Sequence, residues 1–292
     1  MVRIIVSASI ALATLVVPAF GGEPATAAAS KAQTVSNAFD ITVSGWLMSD
    51  YIYRGISLSA RRPAAASSID IQHGWFYVSG ELHSVNLPTN PAAELTLTGG
   101  VRHTYANIDF DLSAAYIFYP GEAPNETQTA TDYWQGGISA SRRFMDVFTL
   151  AGQATYSPNV SHTGAWGSYA AGTITFDLPK LMLAQGRTVD WTLAAELGHA
   201  RFGNTSLGDY ALPAYTHWRL GLAFRHASLK FDLSYHDTNL TKEDCFVQTG
   251  DLAATPGGSV NPSSNPTGLR SGLCGRTLVG TLTFEFEASK SE

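Results

Sequence analysis

The side chains of this chain that could do chemistry are charged groups set into alternating segments. In NIDFDLSAAYIFY, Ile108, Phe110, Leu112, Ala114, Tyr116 and Phe118 share one parity, and Asp109, Asp111, Ser113 and Ala115 take the other. LKFDLSYHD sets Leu229, Phe231, Leu233 and Tyr235 against Lys230, Asp232, Ser234 and His236. TLTFEFE sets Leu282, Phe284 and Phe286 against Thr283, Glu285 and Glu287. A period of two gives a strand two chemically different faces. Along the chain the polar parity carries Glu81, Glu94, Arg102, Asp109, Asp111, Glu196, Arg219, Arg225, Lys230, Asp232 and Glu285, seven acids and four bases. Charges arranged round a pore set its ion selectivity, so this excess predicts a water-filled, mildly cation-preferring lumen. The alternative is an interior that salt bridges close on itself. Asp50 and Arg54, four apart on the first predicted strand, share a face near the outer rim. A structural pair pinning that strand is expected there rather than a substrate contact.

Catalytic signatures are missing. The chain has eight histidines, but none sits in a GxSxG or HExxH context. His103 and His199 fall on the apolar parity. No metal site or cofactor is expected. Arginines cluster only as the pairs Arg61-Arg62 and Arg142-Arg143, which gives no footprint for nucleic acid. Cys245 and Cys274 share one Gly/Pro/Ser/Asn-rich stretch, and in an exported protein such a pair is expected to be a disulfide.

Export is read from the first residues. Arg3 precedes an apolar run from Ile4 to Val17, broken only by Ser7, Ser9 and Thr14, and small residues follow from Ala25 to Ser30. This predicts a signal peptide over 1–29, cleaved near Ala27–Ala29, and a short disordered segment over 30–38. Residues 39–292 then form the folded part. Only 14% of residues are charged, against 45% hydrophobic, where soluble domains carry about a quarter charged residues. The net charge is −6. No later stretch approaches 18 uninterrupted apolar residues. In lipid only helices and closed barrels satisfy their backbone hydrogen bonds, which leaves a barrel or a soluble exported β-protein.

The elements that must position the charges are about twelve predicted strands. They lie near 40–54, 64–73, 75–85, 93–105, 107–119, 132–143, 147–156, 167–178, 188–201, 215–226, 228–238 and 276–287. Connections alternate in length. The short ones are at 73–75, 105–107, 144–146 and 226–228, and the long ones at 55–63, 86–92, 120–131, 157–166, 202–214 and 239–275. The connection at 179–187 is of medium length. A soluble sandwich has no reason to sort its loops this way, whereas short turns at one end and long loops at the other mark an outer-membrane barrel. The predicted fold is thus all-β, a closed antiparallel up-and-down transmembrane barrel. Tyr51, Tyr53, Trp75–Tyr77, Tyr116–Tyr119, Tyr133, Trp134, Tyr215 and Trp218 gather near strand ends, as interfacial girdles do.

At these residues the chain resembles a known family. SDYIYRGISLS (Ser49–Ser59), with Ser49, Asp50, Tyr51, Tyr53, Arg54 and Gly55 at its heart, resembles the N-terminal hallmark of the TorF-type porins. HGWFYVSG (His73–Gly80), YPG at Tyr119–Gly121 ahead of TDYWQGGIS, YSPN at Tyr156–Asn159, YTHWRLGLAF (Tyr215–Phe224), SYHDTNL (Ser234–Leu240) and CGRTLVGTLTF from Cys274 follow in the same order. The resemblance spans roughly 40–287. It implies an outer-membrane barrel forming a pore for ions or small polar solutes, embedded in outer-membrane lipid and installed by the barrel-assembly machinery. It implies no catalytic residues, no particular solute and no oligomeric state. Two other readings stay open, a barrel that displays its disulfide-tied loop 239–275 and a barrel enzyme. The last predicted strand places Phe284 and Phe286 before a six-residue tail ending at Glu292.

Overall fold

The computed structural model describes residues 39–122, 130–182, 188–206, 212–254 and 268–289. The expected signal peptide and the segment 30–38 lie outside these residues. In chain order the strands are β1 (Phe39–Met48), β2 (Ile52–Tyr53), β3 (Ile56–Ser57), β4 (Ala64–His73), β5 (Phe76–His83), β6 (Glu94–Tyr105), β7 (Ile108–Phe118) and β8 (Tyr133–Phe144). They continue with β9 (Phe148–Ser157), β10 (Gly167–Asp177), β11 (Leu181–Met182), β12 (Thr188–Phe202), β13 (Tyr215–His226), β14 (Leu229–Thr238) and β15 (Thr277–Ser289). One helix of eight residues, α1 (Lys242–Thr249), interrupts the last long connection.

All strands but β2, β3 and β11 form one wall. Each pairs antiparallel with its neighbour in the chain, β10 with β12 included, and the pairing of β1 with β15 closes the ring. β1 meets β15 with Val43 opposite Phe286, and β10 meets β12 with Thr173 opposite Glu196. The result is a closed, twelve-stranded, up-and-down barrel. No helix among the described residues is long and apolar enough to cross a membrane. The wall strands, of 8–15 residues, bracket the 9–11 that a tilted membrane strand needs.

Turn chemistry sets the rims. At one end Gly74-Trp75, Ala106-Asn107 and Ala227-Ser228 join strands through two residues. Ala106 (φ 51°) and Asn107 (φ 59°) both occupy the left-handed region, which the tight hairpin turn requires. The long connections all lie at the other end.

Alternation sorts the side chains. Leu97, Leu112, Ile138, Leu197, Leu220 and Leu278 are exposed on the outer face. So large an apolar surface belongs in lipid. The opposite parity is buried inside: Thr96, Ser113, Thr175, Ser234 and Thr281 are nearly inaccessible. The girdle expectation divides along the same line. Trp75, Phe76, Trp134 and Trp218 face outward and are exposed, whereas Tyr51, Tyr77, Tyr133 and Tyr215 are buried within the barrel. Strand parity places these tyrosines, not their nearness to a rim.

Candidate functional site

The first predicted strand, 40–54, ends early. β1 stops at Met48, and residues 49–63 leave the wall as a strap built on the small β2–β3 hairpin. The strap crosses the loop end of the lumen. At its tip Arg54 Nη2 donates to Gln135 Oε1 (2.9 Å) on β8 and to Thr155 Oγ1 (3.0 Å) on β9. β9 lies six strands from β1 in either direction round the wall, so the tip touches the opposite side. The Arg54 guanidinium lies over the rings of Tyr53 (4.7 Å) and Tyr169 (4.2 Å). Gly55 follows at φ +83°, and a Cβ there would come within 2.6 Å of Thr238 Cγ2 and 2.7 Å of the His217 Cβ. Only glycine fits that turn and that approach.

Asp50 and Arg54 do not pair. This corrects the expected ion pair, because the chain turns inward between them and carries each to a different partner. Asp50 accepts from Ser57 Oγ (2.6 Å), Ser59 Oγ (2.8 Å) and Arg61 Nη1 (3.3 Å), and so ties the two arms of the strap together. Tyr51 donates to Glu94 Oε1 (2.8 Å), and Tyr119 donates to Glu94 Oε2 (2.9 Å). Burial first, and then the Glu94 carboxylate, raise the pKa of both phenols well above its ordinary value, so both remain donors. His83 stacks on Tyr51 with ring centroids 4.5 Å apart.

The last long connection covers the strap. Cys245 on α1 is bonded to Cys274, as expected, with the sulfurs 2.03 Å apart. Both cysteines pack with Ile56, Tyr169, Ala200 and Tyr215. Ser57 donates its backbone N–H to Leu273 O (2.9 Å), and Arg61 Nη2 reaches Gly272 O (2.9 Å) and Gly275 O (2.7 Å).

Below the strap the inward charges are engaged with one another. Arg102 holds Asp70 through two bonds of 3.0 Å and Asp111 through one of 3.1 Å, and its guanidinium lies 3.5 Å above the Tyr77 ring. Gly100 leaves room for that ring, since a Cβ there would meet Tyr77 Cε1 at 2.6 Å. Arg219 pairs with Asp232 at 2.8 Å, both almost fully buried. Arg225 faces Glu285 at 3.5 Å, and Arg143 pairs with Asp177 at 2.9 Å. Tyr169 Oη lies 2.8 Å from His217 Nε2, which faces Glu196 at 3.8 Å.

A family model described as bacterial protein of unknown function (Gcw_chp) matches residues 31–255. The chain belongs to this family. No curated protein matches it. Among solved structures it is similar to the KdgM porin, with TM-score 0.45 and 7% identity, covering 85% of this chain and 99% of that one. It is also similar to the NanC porin (TM-score 0.43, 10% identity, covering 86% and 100%). A third is LpxR from Salmonella typhimurium (TM-score 0.39, 8% identity, covering 84% and 99%).

In this member of the Gcw_chp family, the structure places all eleven charges on the buried parity of their strands. Glu81 lies against His83 at 3.4 Å, Glu94 binds the two phenols, and Asp109 accepts from Thr104 Oγ1 at 2.6 Å. Lys230 has the same parity as Asp232 on β14. Sequence reasoning missed Asp70, though its alternation with Ile69 and Ile71 marks it. It also missed Gln135, Thr155 and Tyr169, which no pattern connects to Arg54. Among the described residues no cluster of His, Cys, Asp and Glu could hold a metal ion.

Proposed function

We propose that this chain is a porin-like channel of a bacterial outer membrane, passing ions or small polar solutes and narrowed at its loop end by the strap. The observation that carries this reading is the contrast between the two faces of the wall. The strands turn most of their large apolar side chains outward and set hydrogen-bonding and charged groups on the inner face, where they are interspersed with a few small or aliphatic residues such as Ala115, Ile117 and Val279. Such an interior is suited to polar traffic. The resemblance to TorF-type porins supports the same function. Outer-membrane lipid and the barrel-assembly machinery are the partners this reading requires. No catalytic role is assigned to any residue.

The depth of burial favours a second reading. Arg219 and Asp232 are 4% and 2% exposed, as they would be in a closed barrel that only displays its disulfide-tied loop.

Planar-bilayer recording separates the two. Wild-type protein should give small stepwise currents, and a variant with residues 51–60 replaced by a short Gly/Ser link should give larger ones. Silence from both would overturn the channel and leave the display barrel.

A further inference from the structure

Arg54 differs from the other cations of the interior. Arg102, Arg143, Arg219 and Arg225 each hold a carboxylate, as Arg61 does at the rim. Among the described residues Arg54 makes no ion pair within 4.0 Å, and its hydrogen-bond partners, Gln135 and Thr155, are neutral. Two carboxylates of the interior accept from neutral hydroxyls instead: Glu94 from two phenols, and Glu196 from Thr173 Oγ1 (3.1 Å). A guanidinium carries five N–H donors, and the two bonds to the wall use only Nη2. The residue is half-buried, at the tip of a strap inside the barrel. Beside it the buried Gln135 side chain accepts from Arg54 through Oε1 and turns its amide nitrogen toward the Tyr53 hydroxyl. A guanidinium and two aromatic rings therefore converge on one place at the strap tip.

We infer that Arg54 forms an anion site on the strap, which takes the carboxylate of a small organic acid in transit. The planar fork of a guanidinium accepts a carboxylate through two parallel bonds, and the rings of Tyr53 and Tyr169 fix its plane. This inference rests on the channel reading and deepens it. It also reverses the preference that the count of seven acids against four bases predicts. Glu94 and Glu196 are held by neutral hydroxyls and keep their charge, but neither is in contact with Arg54, so the group that the strap tip itself offers a solute is cationic.

Two measurements test it on the full, disulfide-intact chain. In calorimetric titration of detergent-purified protein, sodium glucuronate should bind and glucose should not. Arg54→Gln should abolish the binding, and Arg54→Lys, which keeps the charge but loses the fork, should weaken it at least tenfold. In bilayers under a KCl gradient, the reversal potential should have the sign of chloride preference and should shift toward zero in Arg54→Gln. A heat-dependent gel shift establishes that each variant is a folded barrel, and Arg54→Lys decides the matter if Arg54→Gln does not fold. Bilayer silence with glucuronate binding intact would sink the channel reading alone and support the site. Absence of glucuronate binding to wild type, its survival in Arg54→Gln, or a cation-selective reversal potential would overturn the site.

Discussion

Replacing Asp50 by alanine should release the strap and leave the wall in place. The buried carboxylate accepts from two buried hydroxyls, Ser57 Oγ at 2.6 Å and Ser59 Oγ at 2.8 Å. A hydrogen bond to a charged group contributes about 1.5–3 kcal/mol; the single Ser59 hydroxyl proton is shared with Arg62 O (2.7 Å), so roughly 3–6 kcal/mol is an upper range for the pair. Arg61 adds little, because its side chain is 28% exposed and solvent screens it. The freed hydroxyls reach water once the strap moves, which favours the lower end, about 3 kcal/mol. At about 1.4 kcal/mol per tenfold change, strap opening becomes on the order of 150 times more frequent. Native-state hydrogen exchange read by mass spectrometry can follow this. Amides of residues 49–63 should exchange about two orders of magnitude faster, while those of β6 and β7 keep their protection. Unchanged exchange in the strap would refute the reasoning. So would parallel acceleration in β6 and β7, because Asp50 would then hold the barrel rather than the strap.

Three further outcomes are expected. Leu112→Arg puts a charge on an exposed outer position and should cost about 2–4 kcal/mol of folding into lipid vesicles, measured by urea titration, if that face meets the bilayer interior. Gly198→Val should displace the His217–Tyr169 pair, since even a Cβ there would meet His217 Nε2 at 2.3 Å; thermal unfolding in detergent should show a loss of about 1–3 kcal/mol. Reducing Cys245–Cys274, 29 residues apart in sequence, should remove roughly 3–4 kcal/mol of chain-entropy restraint, so limited proteolysis should cut between the two cysteines while the wall strands stay intact.

The wall was legible because its two faces meet different media. Each strand of a lipid-embedded barrel must alternate, so Leu112 against Asp111 or Phe231 against Asp232 reads directly as outside against inside. The disulfide was legible from the expected export and from two cysteines in one loop-like stretch. The strap was not. Tyr51-Ile52-Tyr53 carries the aromatic and β-branched character of a strand onward, and nothing in DYIYRGIS says that Arg54 takes a left-handed turn (φ 51°) and points across the lumen. Partners were equally hidden. Parity tells that Arg102 and Asp70 face inward, but they lie on β6 and β4, with β5 between them. Their meeting depends on stagger and on the space that Gly100 leaves, neither of which a single segment encodes.

The strap leaves the wall at Met48 and rejoins it at Ala64, both on the loop rim. It can therefore swing out without threading through the ring and without breaking a ladder pairing between wall strands. Two stabilities follow, one for the hydrogen-bonded ring and one for the crossing segment. The molecule should melt in two stages, the crossing segment first, and substitutions confined to 49–63 can change how tightly the passage is shut without altering how well the ring is built.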